Sequence, residues 1–228
     1  MTWIINNLDL IWGLTLEHIR LSIPPIVLGF LISIPLGWLA YRFKLTRGIL
    51  LTLAGLLYTI PSLALFVILP PLLGIPFLSE YNIMIALTLY AVAIMARSVA
   101  DALASVDPAI RQSATAVGFG GWRRFWTVDF PLAGPVVLAG LRVAAVSTVS
   151  LVTVGILIGV ESLGYLFTNG FQRRITEEIF SGVVMTVVVA LLIDRALVLL
   201  GRFLMPWATV AKKKKKPVAE PVREGELV

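Results

Sequence analysis

Between Gln112 and Arg142 the chain reads QSATAVGFGGWRRFWTVDFPLAGPVVLAGLR. Small residues occupy Ser113, Ala114 and Ala116, glycines follow at 118, 120 and 121, and Trp122–Trp126 is basic and aromatic. After Pro131 the chain turns apolar, so the stretch is a polar insert handing over to a hydrophobic segment. The residues on either side decide what that insert is attached to.

They are overwhelmingly apolar. Of 228 residues, 58% are hydrophobic and 14% charged, where a soluble domain carries about a quarter charged residues. Mean hydropathy is +0.94. Uncharged runs cover Leu21–Tyr41, Gly48–Ser79, Tyr81–Ala96, Val143–Val160 and Ile179–Ile193. A spanning helix needs roughly 20 mainly apolar residues, so the pattern predicts an all-α polytopic membrane protein with five transmembrane helices. We place them at about 19–41, 48–74, 81–100, 131–160 and 179–205. A transmembrane β-barrel is excluded, because barrels need alternating segments of about ten residues. The first run is too long for a signal peptide, lacks a preceding basic region and has no small-x-small cleavage site. Residues 1–18 then form an extracytoplasmic segment, 19–205 a transmembrane domain, and 206–228 a polar tail expected to be disordered.

Absent residue types narrow the chemistry. With no cysteine and a single histidine, disulfide chemistry and histidine-based metal sites are not expected. No metal or other cofactor is expected. The net charge of +6 owes much to Lys212–Lys216. Five lysines just past a span suit an anionic leaflet better than nucleic acid, so no nucleic-acid partner is expected.

Positive charge sets the orientation. Arg42, Lys44 and Arg47 crowd the first short loop, whereas Ile75–Glu80 has neither lysine nor arginine. Arg111, Arg123 and Arg124 lie in the third loop; in the fourth, Arg173 and Arg174 are accompanied by Glu161, Glu177 and Glu178. Positive-inside counting predicts N-terminus out and C-terminus in, with the insert cytoplasmic.

Prolines at 24, 25 and 35 interrupt the first span and those at 61, 70 and 71 the second. Each removes a backbone donor, and in lipid the freed carbonyls need partners from neighbouring helices or cavity water. Ser147, Ser150 and Thr153 share a face of the fourth span, as helix–helix hydrogen bonders or as pathway lining. Gly155 and Gly159 form a GxxxG, read as a close-packing contact. Arg97 and Asp101 are spaced to pair; Arg142, Asp194 and Arg195 are read as interfacial or inter-helix charges rather than a proton relay.

Within the insert, Asp107-Pro108 is a helix start, with a capping side chain followed by proline at the first helical position. The helix runs to Val117 and Gly118 permits a turn with positive φ. Such a helix–turn–helix, spanning about 105–130 between the third and fourth spans, is either an interfacial helix with its tryptophans at the headgroups or a docking knob for a partner.

The order small-small, Gly118, a nine-residue gap, Val128, Phe130 and Pro131 resembles the EAA loop of ABC importer permeases, with Gln112, Ser113 and Ala114 at its head. The resemblance extends to Thr59-Ile60-Pro61-Ser62-Leu63-Ala64-Leu65, Val106-Asp107-Pro108, Gly140-Leu141-Arg142 and Gly159 through Gly164, over about residues 15–205. These stretches are similar to the osmoprotectant (glycine betaine, carnitine, choline) branch. The resemblance implies a permease subunit of an ATP-driven importer for compatible solutes, with a separate ABC ATP-binding subunit, a second permease subunit (identical or not) and an extracytoplasmic solute-binding protein in the cell membrane. The insert would be the coupling loop, with Asp107, Gln112, Ser113, Ala114, Gly118, Arg123 and Pro131 as coupling residues. Tyr58, Pro61, Ser62, Ser147 and Ser150 would line the pathway. Tyr58, Tyr90, Trp38 and Phe66 are candidate aromatic contacts for a quaternary ammonium cargo. Two positions depart from the family pattern. Gln112 replaces the leading glutamate, so a charged contact becomes a neutral hydrogen bond of about half the strength. Glu161 stands where glycine is usual.

No G-x-x-x-x-G-K-[ST] phosphate loop occurs, so the chain is not expected to be an enzyme and ATP hydrolysis falls to another polypeptide. The alternatives are a methionine-type amino-acid permease sharing the five-span core and a stand-alone secondary transporter. The latter predicts internal repeats, and none is visible. No HExxH, carboxylate cluster or Ser/His/Asp set points to a membrane enzyme.

Overall fold

The computed structural model describes residues 2–208, and all of its regular structure is helical. A short α1 (Thr2–Asn6) precedes α2 (Leu8–Arg42), followed by α3 (Lys44–Thr59), α4 (Ser62–Leu73) and α5 (Glu80–Ala104). The insert holds α6 (Pro108–Ala116), α7 (Gly121–Arg124) and one π-helical turn at Phe125–Asp129. Next comes α8 (Phe130–Val152), tightening into a 3₁₀ turn at Thr153–Ile158, then α9 (Gly164–Arg173) and α10 (Thr176–Leu204).

Among the described residues, α2, α5, α8 with its flanking turns, and α10 are each long and apolar enough to cross a membrane. A fifth crossing requires taking α3 and α4 together, and these meet at 106°. The bend sits at Ile60-Pro61, where Ile60 and Pro61 are extended with ψ of 127° and 134°. Proline favours an extended residue before it, and its missing N–H ends the hydrogen-bond ladder. The Tyr90 hydroxyl donates to the Ile60 carbonyl at 2.5 Å, satisfying an acceptor that the break leaves free.

The other prolines behave differently. Pro24, Pro25 and Pro35 lie inside one continuous 35-residue helix, contrary to the expected interruptions. The tight packing of α2 on α5, the most extensive helix pair in the molecule, offsets the lost hydrogen bonds. A Cβ on Gly29 would lie 2.4 Å from Ala91 Cβ, and one on Gly37 2.5 Å from Val99 Cβ. Both glycines let the two helices touch along their length.

Nor does hydropathy mark where the first helix starts. The run of apolar residues begins after Arg20, yet α2 begins at Leu8. Its early turns are amphipathic: Ile11 and Leu14 are buried in a cluster with Val149, Leu163, Leu166 and Val189, while Asp9 and Trp12 are exposed. A one-faced helix carries too much charge to register as a span and still packs against α8, α9 and α10.

Two local expectations also change. Asp101 accepts from Arg47 Nη2 at 2.7 Å instead of pairing with Arg97. An arginine placed N-terminal to an acid four residues on is the weaker orientation within a helix, and Arg47 brings its charge from the start of α3. Gly155 does make a close contact, since a Cβ there would meet Ile83 Cδ1 at 2.4 Å. Gly159 instead ends the 3₁₀ turn with φ of 78°. Arg142 and Asp194 form the expected inter-helix pair between α8 and α10, bidentate at 2.6 and 2.9 Å.

Gly29→Leu overpacks the α2–α5 seam and is expected to destabilise the protein by about 1–3 kcal/mol. Gly13→Leu, with nothing within 4 Å of its Cβ, is expected to be neutral. Thermal unfolding of both purified variants in the same detergent checks the contrast.

Candidate functional site: the helix–turn–helix insert

The insert is built in the way its capping residues dictate. Asp107 Oδ1 accepts from the Ala109 N–H at 2.8 Å and Pro108 occupies the first helical position. At the other end of α6, the Gly118 N–H donates to Thr115 O at 3.0 Å and the Phe119 N–H to Ala114 O at 3.1 Å. That pair of bonds is a Schellman motif, which needs a left-handed residue at its turn. Gly118 supplies it with φ of 92°. No residue of α6 is buried. The helix therefore projects from the body of the protein, and what holds it must act at its ends and through its long side chains.

Asp129 does the holding. Its side chain is 4% exposed and accepts from Arg111 Nε and Arg124 Nε, each at 3.2 Å. Arg111 also donates to the Leu103 carbonyl at the end of α5 and lies 4.7 Å over the Tyr41 ring at the end of α2. Arg124 donates to Thr115 Oγ1 at 2.9 Å, closing α7 onto α6. One carboxylate and two guanidinium groups thus tie the projecting helix to two membrane helices and to the start of α8. A polar cavity of about 480 Å³, lined by Trp38, Tyr41, Arg42, Gly121, Arg124 and Asp129, separates the insert from the end of α2.

Aromatic packing fixes the second segment. Phe125, the buried residue of the Trp122–Trp126 stretch, meets Trp38 edge-on at 6.3 Å, Trp126 at 4.9 Å and Phe130 at 5.8 Å. Trp122 and Trp126 are 70% and 45% exposed, so one aromatic anchors the segment while its neighbours remain at the surface. The π turn at Phe125–Asp129 adds a residue to the helical repeat, and both of its end residues, Phe125 and Asp129, are buried.

The expected coupling residues occupy the outer part of this device. Gln112 is exposed beside a shallow cleft with Arg111, Thr115, Ala116 and Arg124. The Ser113 hydroxyl donates to Ala109 O at 2.9 Å, Ala114 is half-buried, and Arg123 lies 5.0 Å over the Phe119 ring. Pro131, in the first turn of α8, accepts from Trp207 Nε1 through its carbonyl at 3.3 Å.

The model of the family described as "Binding-protein-dependent transport system inner membrane component" matches residues 26–209. The chain belongs to that family. It is a multi-pass membrane protein of the transport-system type. It is 31% identical to the osmoprotectant import permease protein OsmW of Salmonella typhimurium, over 84% of this chain and 90% of that one. Against the glycine betaine/carnitine/choline transport system permease protein OpuCB of Bacillus subtilis, identity is 29% over 90% and 94%. An inward-facing structure of the MetNI methionine ABC transporter shares the fold, with a TM-score of 0.78 at 21% identity, over 87% of this chain and 98% of that one.

Of the residues expected to line a pathway, Tyr58, Pro61 and Ser62 sit at the α3–α4 break, and Ser147 and Ser150 on α8. Tyr58 is exposed and meets Tyr90 edge-on at 5.9 Å, beside the break formed by Pro61 and Ser62. Ser150 is exposed and Ser147 half-buried on α8, and neither hydroxyl pairs with another described residue. Phe66 is fully buried, Tyr90 is 3% exposed, and Trp38 packs on Phe125 of the insert. Of the four candidate aromatics, only Tyr58 presents a substantially open ring. Glu161 is exposed just after the 3₁₀ turn.

Sequence reasoning passed over Asp129 and used Arg111 and Arg124 only as counted charges. A signal was present: a lone carboxylate between Val128 and Phe130, two residues before Pro131, needs a cationic partner so close to an apolar segment. Asp129→Ala strands two guanidinium groups and is expected to cost about 3–5 kcal/mol, as loss of one member of a buried ion pair does. Asp107→Ala removes only a helix cap and is expected to cost about 1 kcal/mol. Unfolding midpoints of the two variants should keep that order; equal losses would remove Asp129 from its central place.

Proposed function

We propose that the chain is the transmembrane permease subunit of an ATP-driven importer for compatible solutes of the glycine betaine, choline and carnitine type. Support for the cargo class comes from the relatives named above, which match across nearly their whole length. The observation that carries the mechanism is the projecting α6, unburied along its length yet tied through Arg111 to α5 and α2. A helix held in that way can be pushed by a partner and will move the membrane helices with it.

In this reading the N-terminus faces out and the insert lies in the cytoplasm, as positive-inside counting favours. The chain itself performs no hydrolysis. A separate ATP-binding subunit receives the outer face of α6 and the Gly118 turn, with Gln112, Ser113, Ala114 and Arg123 as contacts. Asp107 and Pro131 fix the entry and exit of the loop. Nucleotide-driven closure displaces α6, and the differential contacts of the loop in two states bias the tilt of α5 and α8. A second permease subunit completes the pathway, past Tyr58, Pro61, Ser62, Ser147 and Ser150. An extracytoplasmic binding protein delivers the solute.

The test is ATP-driven uptake of glycine betaine and choline by the chain assembled with its ATP-binding, permease and solute-binding partners. Gly118→Pro is expected to abolish uptake with membrane insertion intact, because proline's φ near −65° cannot occupy a turn at 92°. Normal uptake by that variant would refute the coupling role, and absence of uptake of either solute by the unaltered assembly would refute the cargo class.

A further inference from the structure

The turn between α9 and α10 holds a residue that its backbone does not favour. The Ile175 N–H donates to Gly170 O at 2.9 Å and the Arg174 N–H to Phe171 O at 3.3 Å. These bonds form a Schellman motif, and its left-handed position falls on Arg174, with φ of 57°. Gly74, Gly118 and Gly159 hold the other left-handed positions among the described residues. A Cβ in that conformation crowds the following carbonyl, so arginine is held where glycine sits freely. The base of the turn is clamped. A Cβ on Gly170 would lie 2.8 Å from Ile179 Cγ1, and Asn169 Nδ2 donates to the buried Glu178 carboxylate at 2.6 Å.

The tip of the turn points away from the protein. Phe171 is 78% exposed, and Gln172, Arg173 and Arg174 are exposed with it. Among the described residues neither guanidinium has an ion pair. Glu177, the nearest acid in the sequence, bonds to the Trp3 backbone instead. Arg20, near the same end of the molecule, is by contrast paired with Glu17 and Glu80, each at 2.7 Å. The 29 residues of α10 make about 43 Å of helix, and the chain just past its end is held near the insert by the bond from Trp207 to Pro131. Because the hydrocarbon core is about 30 Å thick, the α9–α10 turn stands across the bilayer from the insert. In the proposed orientation that side is outside, where the positive-inside bias disfavours arginine. Two unpaired arginines there, one of them in a strained conformation, need a local reason.

Lipid phosphates do not supply it. Arginine reaches a fluid headgroup layer by bending its own side chain and gains nothing from a fixed backbone. A partner with a fixed surface does gain, since groups presented rigidly lose less entropy on docking, and arginine and aromatic side chains dominate such contacts. We propose that the Phe171–Arg174 turn is a docking contact for an acidic patch on the extracytoplasmic solute-binding protein. Arg173 and Arg174 pair with its carboxylates, and Phe171 is covered by the contact. The inference rests on the permease reading above and adds the place and chemistry at which that partner is held.

The test is a titration of the assembled transporter, in phosphatidylcholine nanodiscs, with its fluorescently labelled solute-binding protein. The unaltered assembly is expected to bind, more weakly as ionic strength rises. Arg173→Gln combined with Arg174→Gln should raise the dissociation constant about five-fold or more, as loss of two exposed ion pairs does, and remove most of the salt dependence. Arg174→Gly separates docking from folding. Its melting midpoint should equal or exceed the unaltered one, because glycine relieves the left-handed turn, while binding weakens. Unchanged binding by the double variant would give the arginines to lipid headgroups. A lower midpoint for Arg174→Gly, or failure of the double variant to assemble with the other subunits, would make their role structural. Each of these results overturns the inference and leaves the permease reading standing, whereas failure of the unaltered assembly to bind a solute-binding protein would overturn both.

Discussion

The buried carboxylate of Asp129 is the interaction on which the working end of this permease depends. Burying one carboxylate with two guanidinium groups costs solvation, and the attraction compensates only with good geometry and further hydrogen bonds. The further hydrogen bonds are present. Asp129 meets Arg111 and Arg124, while Arg111 also engages Leu103 and Tyr41. The result is a joint between a surface helix with no buried residue and the ends of two long membrane helices. Without that joint α6 would be attached only through the turns at its two ends.

The remainder of the fold makes the joint useful. α5 is the central mast, in close contact with α2 through Gly29 and Gly37 and with α8 through a cluster including Met95, Val99, Leu103, Val137 and Leu141. In the proposed reading, displacement at Leu103 would be carried along α5. The contrasting element is α3–α4, where backbone pairing stops at Ile60-Pro61 and the Tyr90 hydroxyl replaces it. Broken helices in a membrane protein are tolerated where they are buried in protein or line a cavity. In the proposed reading, the pathway passes the exposed Tyr58 beside this break.

Much of this is legible in the sequence. Hydropathy located every long helix because a bilayer demands long uncharged runs, and Asp107-Pro108 and Gly118 bounded α6 because capping chemistry is local. What escaped is non-local. The first eleven residues of α2 are helical because one face meets α8, α9 and α10, a fact that mean hydropathy erases. Pro24, Pro25 and Pro35 do not break their helix because α5 supports it, whereas Pro61 does; proline chemistry alone does not distinguish them. Asp129 was invisible for a related reason: its partners lie 18 and 5 residues upstream, and only the fold of the insert brings both to one carboxylate. In the same way, Phe66 and Tyr90 looked available for a cation until packing buried them.

The central claim is that α6 is an inward-facing handle gripped by another subunit. The absence of native cysteine makes a single Gln112→Cys substitution a clean probe. Reaction with a membrane-impermeant maleimide should occur in inside-out vesicles and not in right-side-out ones, and assembly with the ATP-binding subunit should slow it. Labelling from the outer surface, or an unchanged rate on assembly, would contradict the account.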